Sequence, residues 1–141
     1  MKRKASAVWE GGLKDGKGTI SSESGVLSNT KYSFSTRFEN EPGTNPEELV
    51  AAAHAGCFSM ALSAQLGNAG MKAASIRTSA TLPMEKLDAG WTVTEVHLDV
   101  TAKVPGAEKA KFDEAAGAAK AGCPISRLLN AKVSMTATLE A

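Results

Sequence analysis

Residues 45–70, NPEELVAAAHAGCFSMALSAQLGNAG, decide how this chain is read. Asn45 suits a helix cap, Pro46 the first helical position, and Glu48 the place from which a capping-box acid reaches back. From Leu49 to Leu66 the pattern is apolar on nearly every side, interrupted mainly by His54, Ser59, Ser63 and Gln65. That predicts a long, buried central helix with Cys57 in its middle, closed by Gly67, Asn68 and Gly70 through a left-handed cap.

Working outward, Ala5–Trp9 and Gly18–Glu23 flank the turn-rich EGGLKDGKG and predict a hairpin. In YSFSTRF, Tyr32, Phe34, Thr36 and Phe38 alternate with Ser33, Ser35 and Arg37, which predicts a strand with Arg37 on its polar face. Beyond the helix, Ala73–Leu82 reads as a strand. Trp91–Val104 reads as a longer one with a bulge or bend near Val93, and its His97 alternates away from Leu98 and Val100 toward solvent. Pro105-Gly106 stops it, and Ala107–Ala121 follows as an amphipathic helix with Lys109, Lys111, Asp113 and Glu114 outward. Cys123-Pro124 opens a short helix, and Val133–Leu139 is the last strand.

The expected fold is α+β: mainly antiparallel sheets around the long helix, in a single domain spanning residues 1–141. One modest sheet is too little to cover a helix apolar on all sides. A second copy of the chain, with this helix near the interface, is the expected cover.

The 141 residues carry 16 basic and 15 acidic side chains, well mixed, for a net charge of +1. That is no footprint for nucleic acid or an anionic membrane. The basic start MKRK is not followed by a signal peptide's apolar run, so a cytoplasmic location is expected.

The two cysteines, Cys57 and Cys123, are too few for a disulfide scaffold or a four-cysteine zinc site. A mid-helix thiol in apolar surroundings has a raised pKa and needs a cation to become a nucleophile. His54, one turn before Cys57, could serve it as in a cysteine hydrolase or acyltransferase. A packed histidine with its own hydrogen bond is the stronger reading, because no oxyanion-hole motif accompanies it. Cys123, between Gly122 and an N1-type Pro124, sits where a helix N-terminus lowers a thiol pKa, so local reasoning favours it as the nucleophile.

The segments WEGG, SSESGVL, FSTRFE, GTNPEELVAAAHAGCFSMALS and AKAGCPIS, in this order and spacing, resemble the OsmC/Ohr family of osmotically inducible and organic hydroperoxide resistance proteins, on the OsmC branch. The resemblance implies a thiol-dependent peroxidase that reduces organic hydroperoxides in oxidative or osmotic stress, built as an intertwined homodimer with active sites at the subunit interface. By motif, Cys57 matches the peroxidatic cysteine and Cys123 the resolving one, against the local preference. Arg37 and Glu47 match the arginine that activates the thiolate and the glutamate that orients it. No metal or prosthetic cofactor is implied, and an external lipoyl-type dithiol is the implied reductant.

Along a straight helix, the ten residues from Glu47 to Cys57 span about 15 Å, too far for one hydrogen-bond network. Arg37 and Glu47 of one chain are therefore expected to serve Cys57 of another. Phe38, Phe58 and Met60 are candidate walls of an organic pocket. A non-enzymatic thiol sensor of stress remains a further alternative.

Overall fold

The computed structural model describes residues 1–141. They fall into two compact units, Met1–Leu49 and Val50–Ala141.

In the first unit, β1 (Ala5–Glu10) and β2 (Lys17–Ser22) form the expected hairpin, pairing antiparallel from Ala5 opposite Ser22 to Glu10 opposite Lys17. A short β3 (Thr30–Tyr32) adds to β2. Gly18 sits beneath two aromatic rings: a Cβ there would come within 2.4 Å of the Tyr32 ring and 2.7 Å of Trp9. The side-chain-free residue lets Trp9 and Tyr32 meet across the sheet, with ring centroids 5.5 Å apart.

The strand expected over Tyr32–Phe38 is not formed as such. It ends at Tyr32, and α1 (Phe34–Phe38) turns away. Ser33 and Thr36 explain the difference: the Ser33 hydroxyl accepts from the Thr36 N–H at 3.2 Å, and the Thr36 hydroxyl oxygen accepts from the Ser33 N–H at 2.7 Å. This reciprocal capping box overrides the alternation of a seven-residue segment. Arg37 therefore lies in the last turn of a helix.

The long helix α2 (Pro46–Asn68) begins as expected, with Asn45 Oδ1 accepting from the Glu48 N–H at 2.8 Å. The Glu48 carboxylate, however, accepts from the Thr44 hydroxyl at 2.9 Å instead of reaching back to the cap. At its other end the Met71 N–H closes onto Leu66 O at 2.8 Å, with Gly70 at φ +78°.

In the second unit, β4 (Ser75–Thr81), β7 (Glu95–Lys103) and β8 (Lys132–Glu140) form one sheet with β7 central. The strand expected over Trp91–Val104 is broken at Thr94. Its first part, β6 (Gly90–Val93), pairs instead with β5 (Met84–Leu87) in a separate hairpin. β4 pairs antiparallel with β7, but β7 and β8 run parallel, against the expectation from hairpin-like links. Two helices, α3 (Lys109–Gly122) and α4 (Pro124–Leu128), make the crossover that a parallel pair requires.

One face of this sheet, with Val96, Leu98, Val100 and Ala102 of β7, packs with Phe112, Ala115, Ala116 and Ala119 of α3 and Phe58, Leu62 and Leu66 of α2 into a continuous core. Within one copy, α2 is covered on one side, and its other faces are those for which a second copy was expected. Its buried residues are His54, Phe58, Leu62 and Leu66, a single stripe at four-residue spacing, while Ala52, Ala53, Met60, Ser63 and Ala64 are exposed. An apolar composition sets what a helix can bury, and one copy of this chain covers only one face.

Candidate functional site

The first unit assembles the candidate cation. The Thr36 carbonyl accepts from the Asn45 side chain at 3.2 Å, which ties α1 to the start of α2. Across that junction, Arg37 donates from Nε to Glu47 Oε1 and Oε2 at 3.0 and 3.1 Å and from Nη2 to Oε1 at 2.5 Å. The fork holds the guanidinium plane in one orientation. Beside it lies a mainly apolar hollow of about 270 Å³ lined by Trp9, Leu13, Tyr32, Phe34, Arg37 and Phe38. Phe38 thus lines this hollow. Phe58 is instead part of the core, and Met60 is exposed.

The second unit brings the two thiols together. Cys57 is half-buried on α2 and Cys123 is fully buried at the α3–α4 junction, with no disulfide between them. Burial pushes the Cys57 thiol up, and the hydrogen bond it donates to Cys123 pushes it the same way; the Ile125 N–H opposes both. Burial also works against a Cys123 thiolate, but the donors around it prevail and hold this thiol below its ordinary value. The Cys57 thiol acts most strongly, followed by the polar groups of Ser126 and Ile125 at the start of α4. Cys123 caps α4 with no side-chain cap hydrogen bond. Within this unit, no cation acts on Cys57.

His54 is not paired with Cys57. Its ring is fully buried, and Nε2 lies 2.8 Å from Ser126 Oγ on α4. Burial lowers its pKa. The reason is rotational: His54 belongs to the stripe of Phe58, Leu62 and Leu66 that faces the core, whereas Cys57 stands at its edge. The hydrolase pairing therefore has no geometry here, and the packed histidine does. Sequence reasoning missed Ser126, although its place three residues after a helix-capping cysteine is the signal that could have found it. His97 also differs from expectation: its Nδ1 is 2.6 Å from Ser134 Oγ and its Nε2 3.2 Å from Thr136 Oγ1, so two hydroxyls of β8, and not solvent alone, surround it. No cluster of three or more His, Cys, Asp or Glu forms a candidate metal site.

An α+β chain with two facing thiols and a carboxylate-clamped arginine defines a class of candidate thiol-redox proteins. Comparison makes the class specific. A family model described as OsmC-like protein matches residues 38–138. Peroxiredoxin OsmC of Escherichia coli strain K12 is 52% identical over 133 residues, 94% of this chain and 93% of that protein. Organic hydroperoxide resistance protein OhrB of Bacillus subtilis strain 168 is 32% identical over 124 residues, 87% and 89% of the two chains. The crystal structure of OhrB superposes with a TM-score of 0.68 over 97% of this chain and 98% of its own. That of an OsmC-like protein from Mycoplasma pneumoniae, only 16% identical, reaches 0.78 over 100% and 99%. This chain belongs to the OsmC family.

Proposed function

We propose that the chain reduces organic hydroperoxides to alcohols by a two-thiol cycle. That it is a cysteine-based peroxidase rests on its 52% identity, over nearly its whole length, to a peroxiredoxin. The observation that carries the cycle is the direct apposition of Cys57 and Cys123.

Cys57 acts as the peroxidatic thiol. Its thiolate attacks the peroxide oxygen distal to the organic group, the O–O bond breaks, and the alkoxide takes a proton and leaves as the alcohol. Cys57 becomes a sulfenic acid, which Cys123 converts to a disulfide before further oxidation. An external dithiol of the lipoyl type then restores both thiols, and no resident cofactor takes part.

A half-buried thiol with a raised pKa and no local cation is a poor nucleophile at neutral pH, so the thiolate must be supported from elsewhere. Arg37, oriented by Glu47, is that support: it favours the thiolate and stabilises charge on the departing oxygen. The helix rise from Glu47 to Cys57, about 15 Å, argues that the pair serves the Cys57 of a second chain. The homodimer is also supported by what one copy leaves open: most of α2, and the exposed Val8, Trp9 and Leu13 of the first unit. The hollow beside Arg37 gives an organic group an apolar seat and supports a preference over hydrogen peroxide. The chain then works in the cytoplasm, in defence against oxidative or osmotic stress.

The deciding experiment follows consumption of cumene hydroperoxide with dihydrolipoamide as reductant. Wild type turns over; Cys57→Ser does not; Cys123→Ser manages a first turnover and then stalls or overoxidises. Undiminished turnover in Cys57→Ser removes the proposal. Equal efficiency with hydrogen peroxide removes the organic preference alone.

A further inference from the structure

The two thiols differ in how an outside molecule can reach them. Cys123 belongs to the continuous core with none of its surface open to solvent, whereas Cys57 is half-buried at the edge of the core-facing stripe of α2. The backbone of Cys123 is also held from both sides. Its N–H donates to Ala119 O at 2.9 Å, in the last turns of α3, and its carbonyl accepts from the Arg127 N–H at 3.1 Å, in α4. Cys123 is thus fixed and enclosed, and Cys57 is the cysteine with a way out. Under the two-thiol cycle Cys57 has to admit peroxide in whatever assembly turns over, so its opening is kept on association.

Thiol–disulfide exchange has a direction. The attacking thiolate approaches along the S–S axis, from the side opposite the leaving sulfur, and access decides which sulfur is attacked. In a Cys57–Cys123 disulfide, an approach to Cys123 has to displace packed core, while Cys57 keeps exposed surface. We propose that the external dithiol attacks only Cys57 Sγ, so that Cys123 is the leaving group of the reductive half-cycle as well as the resolving nucleophile of the oxidative one. This rests on the Cys57–Cys123 disulfide of the proposed cycle.

One thiolate of the dithiol bonds to the Cys57 sulfur, the Cys57–Cys123 bond breaks, and its electron pair leaves on Cys123, which takes up a proton. The second thiol of the reductant then loses its proton and attacks the reductant sulfur bonded to Cys57. A cyclic disulfide closes, and Cys57 leaves as the thiolate. The dithiol is oxidised by two electrons, and both cysteines are reduced. A thiol held below its ordinary pKa also leaves faster, and Cys123 is such a thiol. Access and leaving-group quality therefore favour the same direction of attack. The freed Cys123 can bond to Cys57 again unless the ring closes first, so a monothiol adduct is short-lived and has to be caught early.

The test uses such a monothiol, mercaptoethanol, which cannot close a ring. The protein is oxidised to the disulfide, with stoichiometric cumene hydroperoxide in one arm and diamide in another, exposed briefly to mercaptoethanol, quenched with acid and then alkylated. Trypsin separates the two cysteines, since residues 38–72 carry Cys57 and residues 121–127 carry Cys123. Mass spectrometry should find nearly all of the mercaptoethanol on the Cys57 peptide and the alkyl label on the Cys123 peptide. The same exchange in denaturing urea should spread the adduct over both. An adduct mainly on Cys123, or evenly divided in the folded protein, overturns the proposal, and so does a preference that unfolding leaves unchanged. A protein that forms the disulfide with diamide but consumes no peroxide removes the peroxidase reading instead, while the position of the adduct still decides which sulfur is attacked.

Discussion

The two units of this chain are built to different standards. Val50–Ala141 has a continuous core in which Phe58, Leu62, Val96, Leu98, Val100, Ala102, Phe112 and Ala116 are wholly shielded from solvent. Met1–Leu49 buries only Gly18, Thr36 and Thr44. Its β1 is exposed along its whole length, and Val8 and Trp9 stand open. A unit of this size with so little buried cannot order itself by its own hydrophobic contacts. Yet it holds the best-defined ion pair of the molecule, the Arg37–Glu47 fork. The second unit holds the thiols beside a packed core, and the first holds the Arg37–Glu47 pair with little buried around it. Under the proposed homodimer these are one design, since the same association would cover β1 and deliver Arg37.

The contrast can be broken or sharpened by experiment. The largest effect is expected from Cys57→Ser, which should take peroxide consumption to background, measured with cumene hydroperoxide and a dithiol. Arg37→Ala should lower kcat/KM by about a hundredfold, as when a group that stabilises transition-state charge is removed. Mixing inactive Arg37→Ala and Cys57→Ser chains should recover activity in verified heterodimers, because one of the two sites is then intact. No recovery would confine each site to one chain.

Packing should separate the units next. Phe58→Ala, in the core of the second unit, is expected to cost about 3–5 kcal/mol in denaturant unfolding. If a second copy covers the first unit, Tm should rise with protein concentration. A concentration-independent Tm, together with a monomer mass in solution, would leave β1 truly open and sink the dimer.

The smallest effect is a pH slope. His54 has a folded pKa below its ordinary value of 6.5. The unfolded chain therefore binds the proton first on acidification, and stability falls as pH drops through about 6.5 toward the lower folded pKa. Above that window the contribution is fully present. His54→Gln should flatten this part of a denaturation-midpoint curve, and an identical slope in the variant would mean that another group titrates there.

Much of the fold was legible because local rules and tertiary structure agreed. Asn45-Pro46 starts α2, Gly70 closes it, and the Gly-rich turn makes the first hairpin. Legibility failed where a short-range signal was outvoted. Alternation in YSFSTRF lost to the Ser33–Thr36 capping box, and the parallel register of β8 on β7 depends on a partner distant in sequence. Composition marks α2 for burial all round but does not say what lies against it, and one copy covers a single stripe.

The sequence by itself determined the long helix and most of the strands, the two cysteines with their family motifs, and the ten-residue separation of Glu47 from Cys57. Only the tertiary structure decided that Cys123 reaches Cys57, that Glu47 grips Arg37, and that His54 turns to Ser126 and away from the cysteine one turn along. The physical reason is range. Caps and turns are decided within a few residues, whereas a thiol's proton and a histidine's partner depend on groups brought together from 66 and 72 positions apart.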